Sequence, residues 1–206
     1  MSQAAAGAPV EQPAGFAFTP EALAKAKAHM TKYPPGRQAS AVLPLLDLAQ
    51  RQHGNWLPRA AMDVVADMLG MARIRVYEVA TFYAMFNLKP VGKHFFQICT
   101  TTPCWLRGSD EVVQACEKKL GIGETTADGQ FTLTEVECLG ACVNAPIIQV
   151  NDDFYEDLDG ASTEALIEAL RRGEKPRPGS VKGRQTSAPE GGPQTLGDLS
   201  FAGDKR

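Results

Sequence analysis

Apolar residues recur at helical spacing through the first ninety positions and then give way to short alternating runs, and this change divides the chain. A first helix is expected from about Pro20 to Tyr33. Thr19 suits its N-cap, Pro20 its first position and Glu21 its positive end, and Pro34-Pro35-Gly36 stops it. From Gln38 to His53, Val42, Leu45, Leu46 and Ala49 share a face. Pro44 within that run makes the helix start late or kink, and Gly54 ends it. Pro58 opens a third helix with Met62, Val65, Ala66 and Leu69 on its stripe and Gly70 behind them. A fourth, Ile74 to Phe86, carries Val76, Val79, Ala80 and Tyr83. Four short helices in succession predict a small helical bundle whose stripes serve core packing and no chemistry.

Beyond residue 94 the pattern predicts a strand over Phe95 to Thr100, a helix over 110–120 and a strand over Phe131 to Val136 with Thr and Leu alternating. A strand from Ile147 to Val150, a turn at Asn151-Asp152-Asp153, a short strand from Phe154 to Glu156 and a closing helix from Thr163 to Arg172 follow. The order β-α-β-β-α is that of a small thioredoxin-like sheet. The fold expected is therefore α/β: a flexible N-terminus over 1–18, a helical bundle over 19–90, a thioredoxin-like domain over 91–172 and an extended C-terminal arm over 173–206. The arm is rich in Pro, Gly, Ser, Lys and Gln. It reads either as disorder or as a segment that orders on a partner's surface.

Composition narrows the classes. The hydrophobic fraction is 44% and the charged fraction 22%, ordinary for a globular protein. Net charge is −3 with no basic stripe, which gives nucleic-acid binding no support. No apolar run reaches the roughly 18 residues of a membrane span. The first twenty residues show neither a secretory nor a transit pattern, so the expected address is the cytosol, where thiols remain reduced.

Four of the five cysteines form two close pairs: Cys99 and Cys104 as C-x4-C, then Cys138 and Cys142 as C-x3-C, with thirty-three residues between. Disulfides suit small secreted domains, and a chain of this length buries a core without them. A thioredoxin-type redox pair usually needs C-x-x-C, which neither pair has. Four thiolates from two loop-like clips suit a metal centre, and both a structural zinc and an iron–sulfur cluster accept them. The ligands come two and two, which in a two-iron cluster assigns Cys99 and Cys104 to one iron and Cys138 and Cys142 to the other. Thr100, Thr101 and Thr102 offer donors near the sulfurs, Pro103 fixes a backbone angle before Cys104, Gly140 allows a tight turn and Pro146 stiffens the exit. Arg107 would favour a reduced cluster, and Glu137 and Asp110 would oppose it. Cys116 shares an apolar helix face with Val112, Val113 and Leu120 and reads as a buried structural cysteine. His29, His53 and His94 form no ligand pattern. Gly121-Ile-Gly123-Glu-Thr-Thr126 lacks a third glycine and follows a helix, so it reads as a cap and turn, not a dinucleotide loop.

Three runs together closely resemble one family: Arg75 to Tyr83 (Arg-Val-Tyr-Glu-Val-Ala-Thr-Phe-Tyr), Cys99 to Ser109 (Cys-Thr-Thr-Thr-Pro-Cys-Trp-Leu-Arg-Gly-Ser) and Glu137 to Pro146 (Glu-Cys-Leu-Gly-Ala-Cys-Val-Asn-Ala-Pro). The family is the thioredoxin-like [2Fe-2S] component of respiratory complex I, the E subunit of bacterial NADH:quinone oxidoreductase. The similarity covers about residues 19–172. The Gly183 to Gly192 run also looks like the alphaproteobacterial and mitochondrial branch.

The resemblance implies one [2Fe-2S] cluster held by Cys99, Cys104, Cys138 and Cys142, with no catalytic residue and no substrate site on this chain. It implies a place in a proton-translocating oxidoreductase, beside a partner subunit that holds FMN and NADH and among further iron–sulfur subunits. It implies a side store of electrons next to the flavin rather than an on-path relay. It further implies a peripheral position on the cytoplasmic side of the bacterial inner membrane, without membrane insertion. Similar subunits occur in NAD-linked formate dehydrogenases and NAD-reducing hydrogenases. A structural zinc module is the expectation from another class.

Overall fold

The computed structural model describes residues 10–121, 125–185, 187 and 189. The chain forms two compact units, Met1–Val91 and Gly92–Arg206.

The first unit is helical. Helix α1 spans Pro20–Met30, α2 Val42–Gln52, α3 Arg59–Leu69 and α4 Arg73–Phe82, with a 3-10 turn at Gln38–Ala41 leading into α2. Thr19 caps α1, its hydroxyl accepting from the Ala22 N–H at 3.2 Å. The α-helix starts late, as expected: residues 38–41 form the 3-10 turn and α2 begins only at Val42, with Pro44 placed so that no helical bond is lost. Pro44 falls in the first turn, where backbone N–H groups have no intrahelical acceptor. Ala26, Leu45, Leu46, Ala49, Leu57, Ala61, Val65, Val76 and Ala80 pack into a core from which water is excluded.

Helix α4 ends at Phe82, four residues short of the expected end. Phe86 reaches the core through a turn instead, its N–H donating to the Tyr83 carbonyl at 3.1 Å. Gln50 explains why the chain can fold back there. Its side chain is nearly buried, accepts from the Asn87 N–H at 2.7 Å and donates to the Met85 carbonyl at 3.0 Å. The end of the segment expected to be flexible is also held. Gln52 accepts from the Thr19 N–H at 2.9 Å and donates to the Ala17 carbonyl at 2.8 Å, while Phe16 and Phe18 pack against the core. Two aromatic side chains, two residues apart, give that segment something to bury, which its Ala-Gly-Pro composition hides. Residues 1–9 lie outside the described residues.

The second unit is a five-stranded sheet in the order β2-β1-β3-β4-β5, with β1 at His94–Cys99, β2 at Phe131–Val136, β3 at Ile148–Val150, β4 at Asp153–Glu156 and β5 at Gly179–Ser180. Strand β1 pairs parallel with β2 and antiparallel with β3, β3 antiparallel with β4, and β4 parallel with β5. Between β1 and β2 run a short helix α5, Thr102–Leu106, and α6, Ser109–Leu120. Helix α7, Gly160–Arg171, follows β4. Alternate residues Phe96, Ile98, Phe131, Leu133, Ile148, Val150 and Tyr155 share one buried cluster with Val112 and Cys116 of α6 and Leu166, Ile167 and Leu170 of α7. Both long helices thus cover one face of the sheet. At its edge, Gly92 allows a close approach: a Cβ there would stand 2.8 Å from the Phe131 backbone.

Two elements depart from the expectation. Helix α7 begins three residues earlier than Thr163, because Asp159 and Ser162 form a capping box. The Ser162 N–H donates to Asp159 Oδ1 at 2.7 Å and the Asp159 N–H to Ser162 Oγ at 2.9 Å. These bonds, first of all the Ser162 N–H, hold the Asp159 carboxyl below its ordinary value of 3.8. A depressed carboxylate stabilises the fold above that value and loses its contribution as pH falls through the lowered one, so the cap is complete at neutral pH. Replacing Asp159 with Ala is expected to cost about 1 kcal/mol at pH 7, read as a lower thermal midpoint of this unit. An unchanged midpoint would show that the cap is idle.

The second departure is the tail. Its first part is built into the sheet through β5, and Tyr155 Oη donates to the Pro176 carbonyl at 3.2 Å. The remainder of the expected arm, residues 186, 188 and 190–206, lies outside the described residues, as do 122–124 of the expected cap and turn.

Candidate metal centre

The four paired cysteines gather at one end of the sheet. Cys99 is the last residue of β1, and Cys104 lies on α5, so the first clip is a strand end and a helical turn rather than a loop. Pro103 sits in the first turn of α5, where its missing N–H costs nothing. Cys138 lies in the turn after β2, and Cys142 opens a 3-10 turn, Cys142–Asn144, ahead of a cis Ala145–Pro146 peptide. Gly140 turns the second clip with φ +83°, a conformation that suits a residue without Cβ.

All five cysteines are free thiols. The Cys138 and Cys142 sulfurs stand 3.3 Å apart, well beyond the roughly 2.05 Å of a disulfide. Cys99 and Cys104 are hydrogen-bonded to each other, and the charge of Cys142 is felt at Cys104 and that of Cys99 at Cys142, so the two clips are neighbours; among the described residues, however, no three or more of these side chains close into one metal-holding group. The pairs differ in exposure. Cys99 and Cys104 are each 1% exposed and pack with Ala145 and Ile147 under Leu139, Ala141 and Phe154. Cys138 is exposed and Cys142 half-buried. Around them Trp105, Leu106 and Val143 present apolar side chains to solvent.

The sulfurs meet backbone and hydroxyl donors. Thr101 Oγ1 lies 3.2 Å from Cys99 Sγ, and the Gly140 N–H donates to Cys138 Sγ at 3.4 Å. Burial alone would raise the Cys99 thiol. The Thr101 hydroxyl and the N–H groups of Leu139 and Thr101 outweigh it and hold the thiol below its ordinary value. Cys104 goes the other way, pushed up to about 12 by burial and by its hydrogen bond with Cys99. Cys142 is raised by its hydrogen bond with Cys138 and then by burial. A positive centre would reverse these upward shifts, because it replaces the protons that the thiols share.

Of the three threonines, only Thr101 reaches a sulfur through its hydroxyl. Thr100 donates to Glu135 Oε1 at 2.5 Å instead, and Thr102 opens α5. Cys116, on α6, lies apart in the core that α6 and α7 form with the sheet, its thiol pushed up to about 12 by burial. His53 packs against Trp56 and His94 against Phe131 in tilted ring contacts, with centroids 4.9 Å and 5.3 Å apart. The N–H groups of Leu139 and Ile147 were not legible as sulfur partners, since backbone donors carry no sequence signal.

The chemistry of this donor set suits a thiolate-ligated centre: four soft donors, unoxidised, paired two by two, with backbone N–H groups bonded to sulfur. Among the described residues no helix is long and apolar enough to cross a membrane.

Comparison with known proteins adds four findings. The sequence profile of the thioredoxin-like [2Fe-2S] ferredoxin family matches residues 26–171. The E subunit of the NADH-quinone oxidoreductase of Rickettsia typhi (strain ATCC VR-144 / Wilmington) is 62% identical over 155 residues, 74% of this chain and 91% of that protein. The mitochondrial NADH dehydrogenase [ubiquinone] flavoprotein 2 of Dictyostelium discoideum is 51% identical over 183 residues, 88% of this chain and 74% of that one. Among solved structures, an air-oxidised NAD+-reducing [NiFe]-hydrogenase superposes with a TM-score of 0.53 at 21% identity. The match covers 62% of this chain and 23% of the hydrogenase chain, and that likeness speaks to the fold.

Proposed function

The chain belongs to the thioredoxin-like [2Fe-2S] ferredoxin family, and from that membership we propose that it is the electron-transferring E subunit of an NADH:quinone oxidoreductase. The observation that carries the reading is the 62% identity with the Rickettsia typhi protein along nine-tenths of that protein's length. The free, paired thiols at one end of the sheet support it, because a two-iron cluster takes four thiolates, two per iron. We assign Cys99, Cys104, Cys138 and Cys142 as its ligands. When bound, the cluster supplies one-electron redox chemistry.

The chain's own residues hold and shield that site. Leu139, Ala141, Ile147 and Phe154 keep water from the Cys99 and Cys104 sulfurs, while Cys138 stays open to the surface. N–H groups from Leu139, Thr101 and Gly140 stabilise negative sulfur, which favours the more negative, reduced form. The exposed side then serves as the electron's entry and exit. We place FMN and NADH on a partner subunit docked there, with the iron–sulfur subunits of the same complex behind it, and we place the assembly peripherally on the cytoplasmic face of the membrane.

The purified full chain should contain iron and acid-labile sulfide in equal amounts, absorb in the visible and give a rhombic paramagnetic signal when reduced. A colourless protein holding one zinc after anaerobic purification would defeat the reading. Mass spectrometry of the native complex tests the assignment to a complex: membrane subunits support it, whereas a molybdenum or nickel subunit replaces it with a formate dehydrogenase or hydrogenase.

A further inference from the structure

The segment after β5 returns to the cysteine site. Ser180 Oγ donates to Asp157 Oδ2 at 2.6 Å and accepts the backbone N–H groups of Lys182 and Arg184 at 3.2 and 3.3 Å. That turn delivers Arg184 to the back of the Cys142–Asn144 turn. There its guanidinium donates to the Val143 carbonyl at 2.9 Å, to Asn144 Oδ1, and to Asp157 Oδ1 at 3.3 Å. The pair is enclosed: the Arg184 side chain is 9% exposed and that of Asp157 fully buried.

We propose that Arg184 is a positioning residue for the second cysteine pair, clamping Val143 and Asn144 against Asp157 so that the turn opening at Cys142 is held in one geometry. The proposal rests on Cys138 and Cys142 being ligands.

Three observations carry it. First, Cys142 and Val143 have few other anchors: Cys142 is half-buried, Val143 exposed, and the clip ahead of them turns on Gly140. A ligand on such a turn needs outside support to keep its sulfur in place. Second, Asn144 is the hub of the anchorage. It is 3% exposed, its amide donates to Glu156, its carbonyl accepts the Asp157 N–H at 2.7 Å, and its N–H donates to the Ala141 carbonyl at 3.0 Å. Arg184 is the cation that ties this hub to the residue beside Cys142. Third, the bond set needs a fork. One planar guanidinium reaches a carbonyl, an amide oxygen and a carboxylate at once, which the ammonium of lysine cannot reproduce. Asp157 balances the charge, so the contribution is geometric rather than electrostatic.

The test uses the cluster-loaded full chain. Arg184→Lys keeps the charge beside Asp157 and removes the fork. It should release iron to a chelator about 10-fold faster than the parent protein and shift the paramagnetic line positions of the reduced state. Ser180→Ala, which loosens the delivering turn and removes one hydrogen bond to Asp157 but leaves the guanidinium fork, should move both readouts the same way by less. Arg172→Ala, which removes an exposed ion pair with Glu174, should move neither. If Arg184→Lys does not fold, Ser180→Ala decides. Wild-type release rates with unshifted lines in the variant that decides would overturn the proposal. So would faster release with unshifted lines and a lowered melting temperature, which marks plain destabilisation. The ligand reading fails separately: a Cys142→Ser protein that keeps its iron defeats that reading, whereas Cys142→Ser without iron beside a silent Arg184→Lys defeats this inference alone.

Discussion

A Cys138→Ser protein is expected to lose most or all of its iron, while a Cys116→Ser protein keeps it. The contrast follows from where each thiol sits. Cys138 is itself exposed, in the turn after β2 and outside the main core cluster, so its replacement leaves the fold intact. What it removes is one of four soft ligands, and a serine hydroxyl is a harder and far less acidic donor. Cys116 is fully buried on α6, in the cluster that α6 and α7 form with the sheet, among Val112, Ile167 and Leu170. A serine there puts a hydroxyl into an apolar site and costs about 1–3 kcal/mol of stability. It touches no ligand. Iron per chain and the reduced-state paramagnetic signal read the first effect, and the melting temperature reads the second. Equal iron loss from both proteins would overturn the ligand assignment.

Phe96→Ala is the substitution expected to cost the second unit most. Phe96 is fully buried in β1, an interior strand of the sheet, between Leu133 of β2 and Val150 of β3 in register. Its ring meets that of Phe131 edge-on, with centroids 5.8 Å apart. Truncating a buried phenylalanine costs about 3–5 kcal/mol, transfer and cavity together. Domains of this size hold about 5–15 kcal/mol in all, so much of the unit's stability goes with it. Amide exchange should show lowered protection across β1, β2 and β3 together, since the side chain joins all three. Three residues along the same strand, Cys99 keeps its local donors. The cluster's spectrum should therefore stay unchanged in the fraction that remains folded. Wild-type protection in these strands would show that the sheet does not depend on this contact.

The two effects separate because the site and the core lie on opposite faces of one sheet: Phe96, Ile98, Ile148 and Tyr155 turn into one cluster, and their chain neighbours Cys99, Ile147 and Phe154 into the other. The apolar cluster around Phe96, Phe131 and Ile167 carries the fold, and the smaller one around Cys99, Cys104 and Ile147 carries the sulfurs. Strand β1 belongs to both. Its alternate residues Phe96 and Ile98 bury into the first, and its last residue enters the second. Damage to the core therefore reaches the site only through unfolding, whereas damage at the second clip leaves the sheet standing.

Periodicity and punctuation in the sequence determined the order of helices and strands, the break between the helical and the sheet-containing parts, and the two cysteine pairs as the chemically distinctive residues. These are local properties: a stripe, a cap or a C-x4-C spacing is written within a few consecutive residues. The Phe131–Val136 strand and the α1 N-cap were readable for that reason. The ends of α4 and α7 were less so, because Phe86 packs through a turn held by Gln50, and Asp159 caps α7 from outside its apolar stripe. Tertiary structure alone decided that Cys104 rides on a short helix, that one cysteine pair is buried and the other open, and that Gln52 binds the segment before α1. It alone brought Arg184 to the turn of Cys142, some forty residues back along the chain. Contacts over such separations depend on which strands lie side by side, and only the folded sheet, with β5 laid parallel to β4, sets that adjacency.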